Sequence, residues 1–116
     1  MKTFIKDSLT VNIYSTRKEM GAAAAADIKA AIADKLATKA EINMIFAAAP
    51  SQNEVLEALA TDREIPWNRV NAFHMDEYIG LDKNAPQCFS NYLKDHIFGK
   101  VNSGDRCGRM MRKIIF

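Results

Sequence analysis

The chain has 116 residues, 48% of them hydrophobic and 26% charged, which is typical of one compact globular domain and argues against a disordered segment. Its apolar runs are far shorter than the ~18 residues of a membrane-spanning helix. Lys2, Lys6 and Asp7 interrupt the N-terminal segment, so we expect neither a secretory signal nor a membrane partner.

The charged residues are unevenly distributed. Residues 1–100 contain 12 Lys and Arg against 13 Asp and Glu, a net charge of −1. Residues 101–116 have a net charge of +3, from Arg106, Arg109, Arg112 and Lys113 against Asp105. A nucleic-acid-binding domain presents a basic stripe across its folded body. Because the excess positive charge is confined to the last residues, we expect no nucleic-acid partner.

The two cysteines, Cys88 and Cys107, lie far apart and without the spacing of metal ligands. No cluster of His, Cys and Asp has such spacing either, and no phosphate-binding P-loop or serine nucleophile motif occurs. The sequence therefore predicts no metal site. With only two cysteines, far apart in the sequence, we expect a reducing, cytoplasmic location.

The first predicted elements are a strand and a long helix. Residues 9–14, "LTVNIY", alternate between apolar and polar side chains, which predicts a strand with one buried face. Thr16 followed by Glu19 fits a capping box at a helix start. The alanine-rich helix that follows has an apolar stripe and small neighbours, which would let it lie close against a sheet. The stripe consists of Ile28, Ile32 and Leu36.

A second strand and helix follow. Residues 42–49, "INMIFAAA", are apolar on both faces, as in a central parallel strand covered by helices. Ser51 and Glu54 fit a second capping box. The buried face of the second helix is predicted from Val55, Leu56 and Leu59.

The third strand is predicted over residues 69–75, after a polar connection with one proline at residues 61–69. Gly, Asp, Asn and Pro indicate a loop over residues 79–87. A third helix then ends near Gly99, with an apolar face formed by Phe89, Tyr92, Leu93, Ile97 and Phe98.

Strands that alternate with helices predict a parallel sheet with helices on its faces and right-handed crossovers. Such sheets bind ligands at the carboxyl ends of their strands. The loops at residues 48–52 and 76–81 follow the second and third strands. We expect them to lie side by side if those two strands are neighbours.

Asp76 and Glu77 stand where the third strand ends. A carboxylate partly shielded from water at a ligand crevice has a raised pKa and suits a general base near neutral pH. The alternative is a solvated acid at a strand end, which is the commoner outcome for such a pattern. His74 is interpreted as a buried structural histidine, and His96 as a charge near the end of a helix.

The loop "AAPSQNE" leads from a strand into a helix, and free amides there can bind an anion. The side chains of Ser51 and Gln52 would add donors. A plain helix start is the alternative, because every helix has free amides at its N-terminus. Pro50 removes one amide and favours that alternative.

The string "FHMDEYIGL", with "RVNAF" before it and "AP..FSNYL..HIF" after it, resembles the glucosamine-6-phosphate deaminase/isomerase family. The related 6-phosphogluconolactonases keep an Asp-Glu pair and a Pro…Ser-Asn-Tyr stretch, but usually have Arg after the acids. Tyr78, Gly80 and Leu81 therefore favour the deaminases. The resemblance covers roughly residues 9–100 and is strongest over residues 65–98.

The resemblance implies a Rossmann-like, three-layer α/β fold with a parallel sheet and helices on both faces. It also implies isomerisation of an aldose phosphosugar to a ketose, with loss of ammonia. Asp76 would be the general base that moves a proton from C2 to C1. Such proton transfer needs no metal and no organic cofactor. Ser51 and Gln52 are the positions that match the family's phosphate loop.

The sequence departs from the family in two places. The phosphate loop of the family usually reads Thr-Gly-x-Thr/Ser-Pro, whereas residues 48–52 read Ala-Ala-Pro-Ser-Gln and lack glycine. Family members are also longer, and their second catalytic motif, with the ring-opening histidine, does not occur here. We therefore expect residues 1–100 to be the N-terminal part of an incomplete domain.

Residues 101–116 are interpreted as an atypical basic tail that arises from truncation or from a frameshift near Asn102. The alternative is a genuine tail that forms a short strand or helix. An incomplete sheet would expose an apolar edge and face, so we expect a homo-oligomer or other self-association.

Two further functions stay open. The chain could be a catalytically silent sugar-phosphate-binding or oligomerising half-domain, or it could be a 6-phosphogluconolactonase.

Overall fold

The computed structural model describes residues 1–75, 89–98 and 113–115. These residues form an antiparallel ribbon, a parallel sheet and three helices. The strands are β1 (Lys2–Lys6), β2 (Leu9–Ile13), β3 (Ile42–Phe46), β4 (Val70–His74) and β5 (Lys113–Ile115). The helices are α1 (Arg17–Leu36), α2 (Asn53–Thr61) and α3 (Phe89–Leu93), the last continued by a π-helical turn at Lys94–Phe98. No helix among the described residues is long and apolar enough to cross a membrane.

The parallel sheet has the order β3-β4-β5. Ile42 lies opposite Val70, and Phe46 lies opposite His74. This arrangement confirms the predicted α/β class and makes the second and third predicted strands neighbours. On the other side of β4, Asn71 lies opposite Lys113. The segment predicted to be an atypical tail thus adds a strand to the sheet.

The N-terminal ribbon differs from the prediction. β2 pairs with β1 through a turn in which Asp7 has a φ of 55°, and short polar residues such as Asp tolerate this left-handed conformation. The predicted buried face of β2 is wrong, because Leu9 and Ile13 are 63% and 49% exposed. The alternating residues of β2 do form an apolar face, together with Phe4 of β1. The described helices, however, do not cover this face.

Helix α1 begins as predicted. The Thr16 hydroxyl accepts a hydrogen bond from the Glu19 amide at 3.1 Å, and Ile32 and Leu36 are buried. The helix contacts β3 of the sheet, as expected, but its most extensive contact is with α2. A Cβ atom at Gly21 would lie 2.6 Å from the Cβ atom of Glu54. Glycine therefore permits the two helices to meet closely at the start of α2.

Arg69 stabilises the other end of α1. Its Nε donates to the Ala40 carbonyl at 2.9 Å, and its Nη2 donates to the carbonyls of Leu36 and Lys39 at 3.0 and 2.6 Å. The last carbonyls of a helix have no partner within the helix. A cation near that end also interacts favourably with the helix dipole. Arg69 thus ties the residue before β4 to the end of α1.

The hydrophobic core lies between the helices and one face of the sheet. Leu56 and Leu59 of α2 are buried as predicted, and Leu93 is fully buried in α3. The connection at residues 61–69 was predicted to be polar, and this is wrong. Ile65 is 3% exposed and Trp67 is 0% exposed, because two isolated apolar residues fold inward from an otherwise polar segment.

β3 is not the fully covered strand that its apolar sequence predicts. Ile42 and Phe46 are buried on the face that meets the core, whereas Ile45 on the other face is 70% exposed. On that second face, the Asn71 side-chain amide donates to the Asn43 side-chain oxygen at 3.0 Å. Within the described order β3-β4-β5, β3 is an edge strand. β3 therefore buries only one of its two faces, whereas its apolar sequence predicts that both faces are covered.

Candidate functional site

The carboxyl ends of β3 and β4 lie together. Beyond the strand pairing, the Met75 amide donates to the Phe46 carbonyl at 2.8 Å. The two backbone segments therefore stay in register to Met75, the last described residue of this part of the chain. Parallel strands end at one edge of the sheet, where open α/β sheets bind ligands. Asp76 and Glu77 follow Met75 in the sequence and lie outside the described residues. The role of Asp76 therefore stays a prediction.

The loop after β3 begins at this edge. It passes through a 3₁₀ turn at Pro50–Gln52 into α2. Ser51 is exposed, and Gln52 is half-buried. The Gln52 side-chain amide donates to the Ala47 carbonyl, and its backbone amide donates to the Ala49 carbonyl at 3.1 Å. Ser51 and Gln52 are thus in the predicted loop, with Gln52 bound to the loop itself.

The predicted second capping box at α2 is wrong. Gln52, rather than Ser51, precedes the helix, and it makes no side-chain capping bond. Glu54 instead accepts a hydrogen bond from Nη2 of Arg17 at 2.8 Å. The 3₁₀ turn moves the helix start beyond Ser51. A capping pattern in the sequence cannot reveal an extra turn of this kind.

Arg17 links α1 to the loop as well as to α2. The same Nη2 donates to the Pro50 carbonyl at 2.9 Å. The hydrogen bond from Arg17 lowers the pKa of Glu54 below its ordinary value. Glu54 is in the first turn of α2, where the positive end of the helix dipole also favours a negative charge. Arg17 thus balances a carboxylate next to the candidate anion site.

Tyr92 contacts the same loop from α3. Its hydroxyl lies 2.7 Å from the Ala49 carbonyl oxygen and 2.5 Å from the Asn53 side-chain oxygen. Burial raises the pKa of the Tyr92 phenol, so it stays protonated and able to donate at neutral pH. Its ring stacks on His96 with centroids 4.1 Å apart. The ring nitrogen Nδ1 of His96 lies 2.8 Å from the Tyr92 carbonyl oxygen.

Sequence reasoning assigned Tyr92 to the core and gave Arg17 no role. Each contacts the loop although more than 30 residues of sequence separate them, and no local spacing signals such contacts.

A groove of about 410 Å³ lies between α1 and α2. Its carboxylates make it unsuitable for a phosphate. The groove is lined by Lys18, Ala22, Glu54, Glu57, Ala58 and Thr61.

Among residues 1–75, 89–98 and 113–115, no group of three His, Cys, Asp or Glu side chains could hold a metal ion. His74 is half-buried at the end of β4, opposite Phe46. The described part of the site therefore consists of a backbone loop and the side chains that hold it. Such an arrangement can bind an anionic group through amides and hydroxyls.

No family model matches the chain. Among curated proteins, it is 36% identical over 39 residues to glucosamine-6-phosphate deaminase 2 of Bacillus subtilis, which covers 34% of this chain and 16% of that protein. It is 30% identical over 69 residues to the glucosamine-6-phosphate deaminase of Listeria monocytogenes serotype 4a, which covers 60% of this chain and 30% of that enzyme. Over these segments the chain is similar in sequence to glucosamine-6-phosphate deaminases. Its matches span less than a third of these relatives' lengths.

Solved structures confirm the predicted fold. A putative 6-phosphogluconolactonase from Neisseria gonorrhoeae matches with a TM-score of 0.70 at 15% identity, over 84% of this chain and 39% of that chain. A monomeric glucosamine-6-phosphate deaminase of the NagB superfamily matches with a TM-score of 0.66 at 19% identity, over 78% of this chain and 37% of that chain. Deaminases and lactonases therefore share the Rossmann-like fold of this chain.

Proposed function

We propose that the chain acts in amino-sugar phosphate isomerisation with release of ammonia, on glucosamine 6-phosphate as substrate. The similarity to deaminase sequences supports this choice, since the fold alone is common to lactonases. The structural observation that supports the site is the hydrogen bond between Met75 and Phe46. It fixes the end of β4 beside the loop after β3, and Asp76 is the next residue in the sequence.

In this proposal, Asp76 is the general base. Its carboxylate removes the proton from C2 of the open-chain amino sugar and returns it to C1, so the 2-amino aldose becomes a C2 imine through an enaminol intermediate. Water then adds to C2 and the nitrogen leaves as ammonia, which gives the ketose. One positioned carboxylate can serve both proton transfers, and these steps require no metal. Glu77 is given no role.

The phosphate is assigned to the loop after β3. Ser51 is exposed and offers a hydroxyl at the surface of the loop. The Gln52 side-chain amide donates to the Ala47 carbonyl and also hydrogen-bonds to the Tyr92 hydroxyl, so Gln52 shapes the loop around the phosphate position. The N-terminus of α2 adds the positive end of its dipole.

The test is conversion of glucosamine 6-phosphate to fructose 6-phosphate and ammonia, measured for the chain and for its Asp76→Asn variant. We expect the substitution to lower the rate by at least about 100-fold, which is the usual contribution of a general base. A rate that survives the substitution would contradict the assignment of Asp76. Phosphosugar binding without turnover in either protein would favour a silent binding module.

A second assay separates the deaminase from the lactonase. The same protein is given 6-phosphogluconolactone, and acid release is followed in place of ammonia. We expect ammonia release from the amino sugar and no acceleration of lactone hydrolysis. Hydrolysis without ammonia release would assign the chain to the lactonases instead.

We place the reaction in the cytoplasm. The chain has only two cysteines, Cys88 and Cys107, and they lie far apart in the sequence, which favours a reducing compartment.

We also propose that residues 1–100 form most of one structural unit, to which the strand Lys113–Ile115 is added, and that the chain self-associates. The support for association is exposed apolar surface at two places. Phe4 and Leu9 are 48% and 63% exposed in the ribbon, and Ile45 and Met75 are 70% and 62% exposed at the sheet. Patches of this kind mark interaction sites. Light scattering that shows a clean monomer with a cooperative melt would refute the proposal.

A further inference from the structure

The loop after β3 lacks the glycines that shape a phosphate loop, and side chains bind its carbonyl groups instead. Gln52 binds the Ala47 carbonyl, Tyr92 binds the Ala49 carbonyl and Arg17 binds the Pro50 carbonyl. Tyr92 comes from α3 and Arg17 from α1. Two elements that are distant in sequence, together with Gln52 of the loop itself, therefore hold carbonyl groups within four consecutive loop residues.

These contacts also orient the loop amides. In a trans peptide the carbonyl of one residue points opposite to the amide of the next, and the described residues contain no cis peptide. The carbonyl of Ala47 turns toward Gln52, so the Ala48 amide points away from that side chain. The carbonyl of Pro50 turns toward Arg17, so the Ser51 amide points away from the guanidinium. Both amides are left free of these side chains.

Arg17 has a second, electrostatic effect at this place. Glu54 lies in the first turn of α2, next to the loop, and an unbalanced carboxylate there would repel a phosphate. The Arg17 guanidinium lies 2.8 Å from the Glu54 carboxylate. Because this cation is already paired, it acts by neutralising Glu54 and holding Pro50.

We propose that Tyr92 and Arg17 are positioning residues that take the place of the missing glycines and present the Ala48 and Ser51 amides to the phosphate of the substrate. This inference rests on the proposed function for its ligand. In this proposal the Tyr92 hydroxyl, rather than the Tyr92 ring, holds the loop. It also assigns Arg17 a role through Glu54 and the backbone, without contact to the phosphate.

The experiment is an NMR titration of the ¹⁵N-labelled chain with glucosamine 6-phosphate and, separately, with inorganic phosphate. We expect the Ala48 and Ser51 amide signals to shift with both ligands. Tyr92→Phe keeps the stacked ring and removes one hydrogen bond, which corresponds to an approximately five-fold rise in Kd. Tyr14→Phe is the matched control, because it removes a hydroxyl beside the N-terminal ribbon, and its Kd is expected to stay unchanged.

Arg17→Gln provides an independent test, because the Arg17 side chain is 60% exposed and its loss leaves the core intact. We expect this variant to bind phosphate more weakly than Tyr92→Phe, and the double variant Arg17→Gln/Glu54→Gln to recover part of the affinity. A merely structural role would lower the melting temperature without such recovery. Unchanged Kd values for both single variants, or ligand shifts that avoid Ala48 and Ser51, would overturn the inference.

Failure of the proposed function gives a different result. If the wild-type chain binds inorganic phosphate at Ala48 and Ser51 but releases no ammonia from the sugar, the deaminase proposal fails and the positioning roles stand. If the wild-type chain binds neither ligand, the positioning roles are overturned as well.

Discussion

Gly21 offers a test of how closely α1 and α2 meet, because two opposing effects act on its replacement by alanine. Alanine is favoured over glycine in a helix interior by about 1 kcal/mol. The added Cβ atom, however, would lie 2.6 Å from Cβ of Glu54 and 2.8 Å from its carbonyl carbon. Carbon atoms in contact normally lie about 3.5–4.0 Å apart, so the helices would have to separate by roughly 1 Å.

Overpacking of this kind costs about 1–3 kcal/mol, and a backbone carbon cannot rotate away as a flexible side chain can. We therefore expect Gly21→Ala to lower the free energy of unfolding by about 1 kcal/mol in total. A change of that size lowers the melting temperature by about 4 °C for a domain of this size. Denaturant unfolding followed by circular dichroism measures it.

Ala26→Gly is the matched control, since Ala26 is exposed on the same helix and reports helix propensity alone. We expect it to lose about 1 kcal/mol. If Gly21→Ala stabilised the chain by the amount that Ala26→Gly loses, the close approach of α1 and α2 would be refuted. Gly21→Val should destabilise the chain further, because its larger side chain meets the same backbone.

Substitutions at three other positions test individual contacts of α1 and α2. Arg69→Met removes the hydrogen bonds to the end of α1 and should cost about 2 kcal/mol on unfolding in urea, with Arg69→Lys restoring little because lysine has no planar fork. Thr16→Ala should cost about 1 kcal/mol and Thr16→Ser almost nothing, since serine keeps the capping oxygen. Arg17 lowers the pKa of Glu54 in the folded state, so the stability from this pair is present at neutral pH and is lost as the pH falls through that pKa. The acid limb of a pH–stability curve should therefore flatten in Glu54→Gln, and an unchanged limb would contradict the pairing.

Local patterns in the sequence were sufficient for much of the fold. The cap at Thr16 and the stripe of Ile32 and Leu36 depend on neighbours within a few residues, and both are present as predicted. The alternation of strands and helices likewise predicted a parallel sheet, and in the structure β3 pairs in parallel with β4. Local spacing determines helix faces and caps because partners three or four residues apart meet in any helix.

The same local patterns gave wrong predictions of burial where contact with a second element determines which residues are buried. Leu9 and Ile13 alternate correctly for a half-buried strand, yet they form the apolar face of an exposed ribbon. Trp67 lies in a polar stretch and is nevertheless fully buried. Periodicity states which face of an element is apolar, but the element that covers this face is chosen by the rest of the chain.

The candidate site divides in the same way. The sequence alone predicted Asp76, Ser51 and Gln52 as site residues, because a short string and a strand-to-helix turn mark them. The tertiary structure added Tyr92 and Arg17, whose partners Ala49 and Pro50 lie 43 and 33 residues away. Only packing of α1 and α3 around the start of α2 brings these groups together. Hydrogen bonds between distant residues follow from that packing, so no spacing in the sequence could predict them.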